Sequence, residues 1–210
     1  MAEKYLSLAG ETVTEKVIEK SRFLTVSRHV EGEDEAKNFI AEISKKHADA
    51  THNCYAYVCD KLGNNLRFSD DGEPQGTAGM PMLEVLRANG LCETAVVVTR
   101  YFGGIKLGAG GLVRAYSGCV AENIAAAQKV LYENCAESVY EVDYSEVDAA
   151  LRFFGGNDCN LLNTAYSDRV AFTVAVKSAS VVAFDSALVN HLNGRVNIDR
   201  RREYFFPFKI

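Results

Sequence analysis

Two stretches of the chain hold most of the side chains and backbone groups able to do chemistry. The first, FSDDGEPQGTAGMPML from Phe68 to Leu83, sets Asp70, Asp71 and Glu73 close together ahead of Pro74, Gln75, Gly76, Thr77 and Gly79. Carboxylates crowded on a short turn suit a hard cation such as Mg²⁺ or Ca²⁺, or a basic partner. The plainer alternative is a solvated turn in which Asp70 or Asp71 bonds the next backbone amides. The second stretch, TRYFGGIKLGAGGLVRAYS from Thr99 to Ser117, places Gly103, Gly104, Gly108, Gly110 and Gly111 between an apolar run and a helical pattern, with Arg100, Lys106 and Arg114 beside them. Free amides and the positive end of a helix dipole make such a place hospitable to phosphate or carboxylate oxygen. The competing explanation is a tight strand-to-helix connection or a close approach of two backbones. The glycine spacing is neither GxGxxG nor GxxxxGK followed by Ser or Thr, so no nucleotide cofactor is indicated.

Two further groupings carry weaker chemistry. His52 and Cys54 stand two apart on an extended segment and so share a face, the minimum for a thiol–imidazole pair. A working nucleophile would also need a depressed thiol pKa and an orienting third group. Together with Cys59 they offer no second ligand pair at zinc-finger spacing, and no metal is expected. Near the chain's end Arg200, Arg201 and Arg202 precede Tyr204, Phe205 and Phe206. A cationic strand with aromatics can follow a nucleic-acid backbone, or it can turn its rings into a core while its charges stay solvated.

The elements that must position these residues follow from periodicity. Strands are expected between Glu11 and Val30, with a turn near Lys20 and Ser21, and an amphipathic helix over Glu33 to His47 with its acids in the first turn. Asn53–Cys59 and Leu66–Phe68 read as a hairpin across the Gly63-Asn64-Asn65 turn, and Met82–Asn89 as a short helix. Ala95–Thr99 is an unbroken apolar run, the mark of a central strand buried on both faces. After the glycine-rich segment, a helix of about four turns is marked by Leu112, Ala115, Tyr116, Cys119, Val120, Ile124 and Ala127. The pattern resets around Leu131–Ala136, which sets expected domains at 1–134 and 135–210. The second reads as strand Ser138–Tyr144, a helix capped by Ser145 with Asp148, strands Leu161–Tyr166 and Val170–Val176, helix Val181–Leu192, and a strand near Val196–Phe206. That order, βαββαβ, is the ferredoxin-like plan.

Composition narrows the classes. The chain has 210 residues, 48% of them hydrophobic, and 23 basic against 28 acidic side chains for a net charge of −5. This excludes a disordered tail, a collagen-like repeat and a nucleic-acid binder working by bulk positive charge. Residues 135–210 carry 8 basic and 10 acidic side chains, so the second half is no basic module either. There is no membrane-spanning run and no signal-peptide pattern at the start, and six cysteines without a CxxC pair read as buried thiols of a cytoplasmic protein.

DDGEPQGTAGMPML, VVVTRYFGGIKLGAGGLVRAYSG and the upstream HNCYAYV closely resemble the signature of the IMPACT family in its bacterial, YigZ-like two-domain form. The resemblance implies an α+β protein: an N-terminal left-handed βαβ domain like domain IV of elongation factor G and the GHMP kinases, and a C-terminal ferredoxin-like domain like domain V of that factor. Eukaryotic relatives act in translational control by binding the activator of the amino-acid-starvation kinase, and bacterial relatives are linked to RNA or the ribosome. A dipeptidase label borne by some relatives finds no metal-ligand constellation in these residues. The expected function is therefore a non-enzymatic, translation-associated regulator that binds RNA, the ribosome or a protein partner. Its recognition face would be an outward-facing patch bearing Asp70, Asp71, Glu73, Arg100, Lys106 and Arg114. The alternative is an enzyme acting on a phosphorylated small molecule or nucleotide, with Asp70 or Asp71 positioning Mg²⁺.

Overall fold

Every position from Glu93 to Arg100 is buried, as a strand covered on both faces requires. Residues 4–209 are described in this computed structural model, and they divide into two units meeting in sequence at Leu131 and Tyr132. The first unit holds strands β1 (Lys4–Leu8), β2 (Thr12–Ile18) and β3 (Ser21–His29), helix α1 (Glu33–Lys46), strands β4 (His52–Val58) and β5 (Leu66–Ser69), helix α2 (Gly79–Ala88), strand β6 (Thr94–Tyr101) and helix α3 (Gly108–Ala126). Its five-stranded sheet runs β2-β3-β6-β4-β5 with every neighbouring pair antiparallel. Strands β3 and β4 therefore run parallel to each other on either side of β6, with α1 carrying the chain between them.

Strand alternation sorts the core into two layers. Val96 and Val98 of β6 join Phe23, Cys54, Ala56, Met82, Leu86 and the buried face of α3 in one cluster. Ala95 and Val97 join Val26, Tyr57 and the α1 residues Ala36, Phe39 and Ile43 in the other. Each fully buried side chain of this size contributes about 1.5–3 kcal/mol. Arg100 continues the even row of Val96 and Val98, so its charge falls on the α2/α3 side, at the sheet's end.

The second unit takes up strand β7 (Lys129–Val142), a 3-10 turn (Tyr144–Glu146), helix α4 (Val147–Gly155), strands β8 (Cys159–Tyr166) and β9 (Val170–Lys177), helix α5 (Val181–His191) and strand β10 (Asn197–Lys209). Strand β9 lies between β7 and β8, antiparallel to both, and β10 pairs with β7. The order βαββαβ is the ferredoxin-like plan, and the chain is an α+β protein of two domains. Tyr140, Phe154, Phe172, Val174 and Leu188 lie in its core cluster, which gathers on the helix side of the sheet.

Three local expectations differ from what is found. Residues 134 and 135 lie inside β7, which starts well before Ser138. The Ser145–Asp148 cap does not form: Ser145 Oγ donates to Glu146 Oε1 at 3.3 Å, and α4 begins at Val147 without a side-chain cap. The expected glycine loop is shorter, because Gly108, Gly110 and Gly111 belong to the first turn of α3. Strand β1, for which the sequence shows no clear alternation, is held by the Cys92 amide donating to the Leu6 carbonyl at 2.9 Å. Among the described residues no helix is long and apolar enough to cross a membrane.

Candidate functional site

The register of β6 builds the site. Phe23 of β3 and His52 of β4 lie directly opposite Arg100, one on each side. Onto this row the turn after β5 lays Glu73. Its Oε1 accepts from Arg100 Nη1 at 2.6 Å and from the Tyr116 hydroxyl of α3 at 2.7 Å, and His52 Nε2 stands 3.8 Å from its Oε2. Arg100 Nη2 donates to Ser21 Oγ at 3.2 Å, and its guanidinium lies 5.4 Å from the Phe23 ring centre and 5.5 Å from that of Phe102. Glu73 and Arg100 are both buried, at 8% and 5% exposure. This corrects the expectation that they present charge to a partner: strand parity turns Arg100 inward, and Glu73 must follow because an unpaired buried guanidinium is costly. Burial also raises the Tyr116 hydroxyl far above the usual tyrosine range, so it stays protonated and donates.

The two aspartates shape the turn that delivers Glu73. Asp70 accepts from the amides of Gly76 at 2.8 Å, Ala78 at 3.0 Å and Gly79 at 2.8 Å, which carries the chain into α2. Burial alone would raise its pKa, but the three amides outweigh that and hold it below the ordinary aspartate value. Asp71 Oδ2 accepts from the Asn53 amide, and the Asp71 carbonyl accepts from His52 Nδ1 at 2.7 Å, so Nδ1 carries the ring proton. Asp70 is therefore committed to backbone amides through both oxygens and Asp71 through Oδ2, which matches the plainer of the two readings of this turn.

The glycines divide by role. At Gly103 a β-carbon would sit 2.0 Å from the Lys20 carbonyl, so this residue lets β6's exit pass the β2–β3 turn, and its amide donates to Ser21 Oγ at 3.2 Å. Gly108 takes φ +69° at the entry to α3, a left-handed conformation that L side chains resist. Gly104 is likewise left-handed, and Gly111 faces Leu107 closely, whereas a β-carbon at Gly110 would meet only the Arg114 Nη1 at an ordinary contact distance of 3.8 Å.

Around this scaffold the exposed residues are Phe102 (47%), Ile105 (37%), Lys106 and Arg114. Among the described residues neither the Lys106 nor the Arg114 side chain has an ion-pair partner. Glu73, Arg100, Phe102, Lys106, Gly108 and Leu112 line one cleft of about 310 Å³, so the two motif segments meet there. Arg114 lines the adjoining groove with Ile18 and Ile105. Ser21, Tyr116 and Phe102 complete the arrangement. Sequence reading missed all three as site residues, although the parity of Val96, Val98 and Arg100 on the apolar run was the signal that Arg100 needed buried partners.

The other candidates lie elsewhere or are disarmed. Cys54 is buried with its thiol against the Asp70 carbonyl at 3.0 Å and the Tyr116 hydroxyl at 3.4 Å, and burial pushes its pKa up to about 12. A thiol nucleophile paired with His52 is thereby ruled out, since His52 is turned to Asp71 and Glu73. On β10, Arg200 pairs with Asp185, Arg201 with Asp199 at 2.8 Å and Arg202 with Glu137 at 3.0 Å, and Tyr204, Phe205 and Phe206 are half-buried. Carboxylates already occupy the cations that a nucleic-acid track would require.

Comparison with known proteins accords with this layout. Residues 19–124 match the Impact N-terminal domain, and residues 141–195 match a domain of unknown function, DUF1949. The chain is 40% identical over 201 residues to the IMPACT family member YvyE of Bacillus subtilis, covering 94% of this chain and 91% of that one. It is 35% identical to the IMPACT family member YigZ of Escherichia coli, covering 93% and 97%. A Dictyostelium discoideum protein IMPACT homolog aligns at 39% identity with 47% of this chain and 28% of its own. A crystal structure described as that of a hypothetical protein superposes with a TM-score of 0.63 at 34% identity, over 96% of this chain and 99% of that one. With both its domains and its full-length relatives in agreement, the chain belongs to the IMPACT family.

Proposed function

We propose that this chain is a cytoplasmic, non-enzymatic regulator associated with translation, and that it binds a protein partner through the rim formed by the DDGEP turn and the segment Phe102–Arg114. One observation carries the reading. Phe102 and Ile105 stand exposed beside two cations without ion-pair partners among the described residues, on a scaffold whose own charges are consumed beneath them. Apolar anchors ringed by free charge are the composition of a protein interface rather than of a catalytic pocket. The translational link rests on the family resemblance.

RNA is less well supported than protein. The chain carries −5 overall, and Arg200, Arg201 and Arg202 are each paired with an acid. The enzyme alternative needs an aspartate free to position Mg²⁺, whereas Asp70 spends both carboxylate oxygens on backbone amides and Asp71 spends one. Affinity capture from cell lysate, with and without nuclease, tests the reading. A protein band that survives nuclease and disappears in the Phe102→Ala, Ile105→Ala double variant is expected. Ribosomal material that is lost on nuclease treatment would turn the assignment to RNA.

A further inference from the structure

The groove that Arg114 lines is bounded by two segments distant in sequence: Ile18 and Glu19 at the end of β2, and the stretch from Ile105 to Ala115 that leads into α3. Ile18 and Leu107 pack against the core beneath, so the apolar lining is held in place, while Ile105 is 37% exposed. Its volume of about 450 Å³ has room for a few side chains of a docked segment. Charge around it is distributed unevenly. Lys106 and Arg114 line the groove and Lys20 follows Glu19 in the turn; all three are exposed, and among the described residues none of their side chains has an ion-pair partner. The neighbouring cations of the same sheet differ: Lys16 of β2 is held by Glu122 at 2.6 Å and Arg22 of β3 by Glu15 at 3.0 Å. Free positive charge is thus concentrated where aliphatic side chains also reach the surface.

We infer that this groove binds a net-acidic segment of a partner protein, one in which carboxylates are interspersed with large apolar side chains. The inference rests on the protein-partner reading above and names the chemistry of that partner. Charge complementarity selects the acidic component: carboxylates of the partner supply Lys106 and Arg114 with the counter-charge that this chain leaves out. The aliphatic lining of Ile18, Ile105 and Leu107 selects the apolar component, because filling it removes apolar surface from water on both partners. A polyanion without such side chains fits less well. Glu19 stands in the groove as one acid against two cations and repels dense negative charge, and the lining offers isoleucine and leucine rather than rings on which bases could stack. A neutral apolar segment would cover Lys106 and Arg114 without pairing them, which costs desolvation with no return.

The test pans the full-length chain against a phage-displayed library of random dodecapeptides and measures the enriched sequences as synthetic peptides by fluorescence polarisation. Enriched peptides are expected to carry net negative charge together with Leu, Ile, Phe or Met, and to bind more weakly as salt rises. The surface double variant Lys106→Ala, Arg114→Ala is expected to bind them about tenfold more weakly, and Ile105→Ala to lose a similar factor. Charge reversal in Lys106→Glu, Arg114→Glu is expected to enrich basic peptides from the same library. Enrichment of neutral or basic peptides by the unaltered chain, no enrichment at all, or an affinity that the double variant leaves unchanged would overturn the acidic-segment site. A chain that fails this test yet still captures a nuclease-resistant partner through Phe102 and Ile105 would disprove this site alone. Absence of such a partner would disprove the reading beneath it.

Discussion

At the end of β6 a carboxylate and a guanidinium are both more than nine-tenths buried and 2.6 Å apart, whereas along β10 three consecutive arginines pair with acids while 39–67% exposed. In sequence the two places looked alike: charged residues flanked by aromatics, each a candidate recognition surface. In the structure they do opposite things. The buried pair joins the DDGEP turn to β6, and through Tyr116 to α3, so that the residues around it present a defined rim. The exposed pairs neutralise one another in water, where such contacts contribute little. Charge inside the protein positions a surface; charge outside it stays available to a ligand, most directly at Lys106 and Arg114, whose side chains have no ion-pair partner among the described residues.

The contrast can be broken hardest by removing one member of each group. Arg100→Ala strands the Glu73 carboxylate in a buried site and is expected to cost about 3–5 kcal/mol in urea unfolding. Replacing both partners with apolar residues, as in Arg100→Met with Glu73→Leu, should recover much of that loss. A cost for Arg100→Ala no larger than that of a surface arginine would erase the distinction.

Glycines sharpen it next. Gly103→Ala must move the Lys20 backbone and is expected to lose about 1–3 kcal/mol or more. Gly110→Ala meets only the mobile end of the Arg114 side chain, at an ordinary contact distance of 3.8 Å, and should be neutral or gain up to about 1 kcal/mol. Thermal unfolding of the two variants side by side distinguishes a glycine required by backbone contact from one that is not.

Asp70 gives a smaller effect with a definite pH sign. Its folded-state pKa lies below that of the unfolded chain, so its contribution is fully present above the ordinary aspartate value near 4 and is lost as pH falls through the lower folded value. Asp70→Asn is expected to cost about 1–2 kcal/mol at neutral pH and to flatten the acid limb of the stability curve. An unchanged acid limb would show that the three amides do not favour the ionised form. The smallest effect belongs to β10: Arg201→Ala should change stability by no more than about 0.5 kcal/mol, a difference that vanishes in high salt.

How far the sequence could be read depended on whether a residue's fate is set locally. The apolar run of β6 and the amphipathic faces of α1 and α3 follow from spacing and lie where the pattern put them, while the turn expected near Lys20 and Ser21 falls one residue earlier, at Glu19 and Lys20, both at positive φ. The capping at Ser145 failed because Tyr144–Glu146 winds into a 3-10 turn and the α-helix starts only at Val147, which leaves Ser145 away from the N-cap position, a shift the motif alone does not reveal. The inward turn of Glu73 and Arg100 depends on three strands and α3 meeting at one row, and Gly103's role depends on a backbone more than eighty residues away in sequence. Such long-range approaches leave no mark in local composition, which is why glycines that looked like one anion loop separated into close contact, left-handed entry and helix interior.

The proposed docking surface is the rim above the buried pair, and the paired arginines of β10 lie outside it. A photo-crosslinking residue placed at Ile105, and separately at Arg201, tests this most directly in intact cells. Docking on the rim gives an adduct at position 105 that is destroyed by protease and unaffected by nuclease, with no adduct at position 201. An adduct confined to position 201, or one at position 105 that nuclease removes, would contradict it.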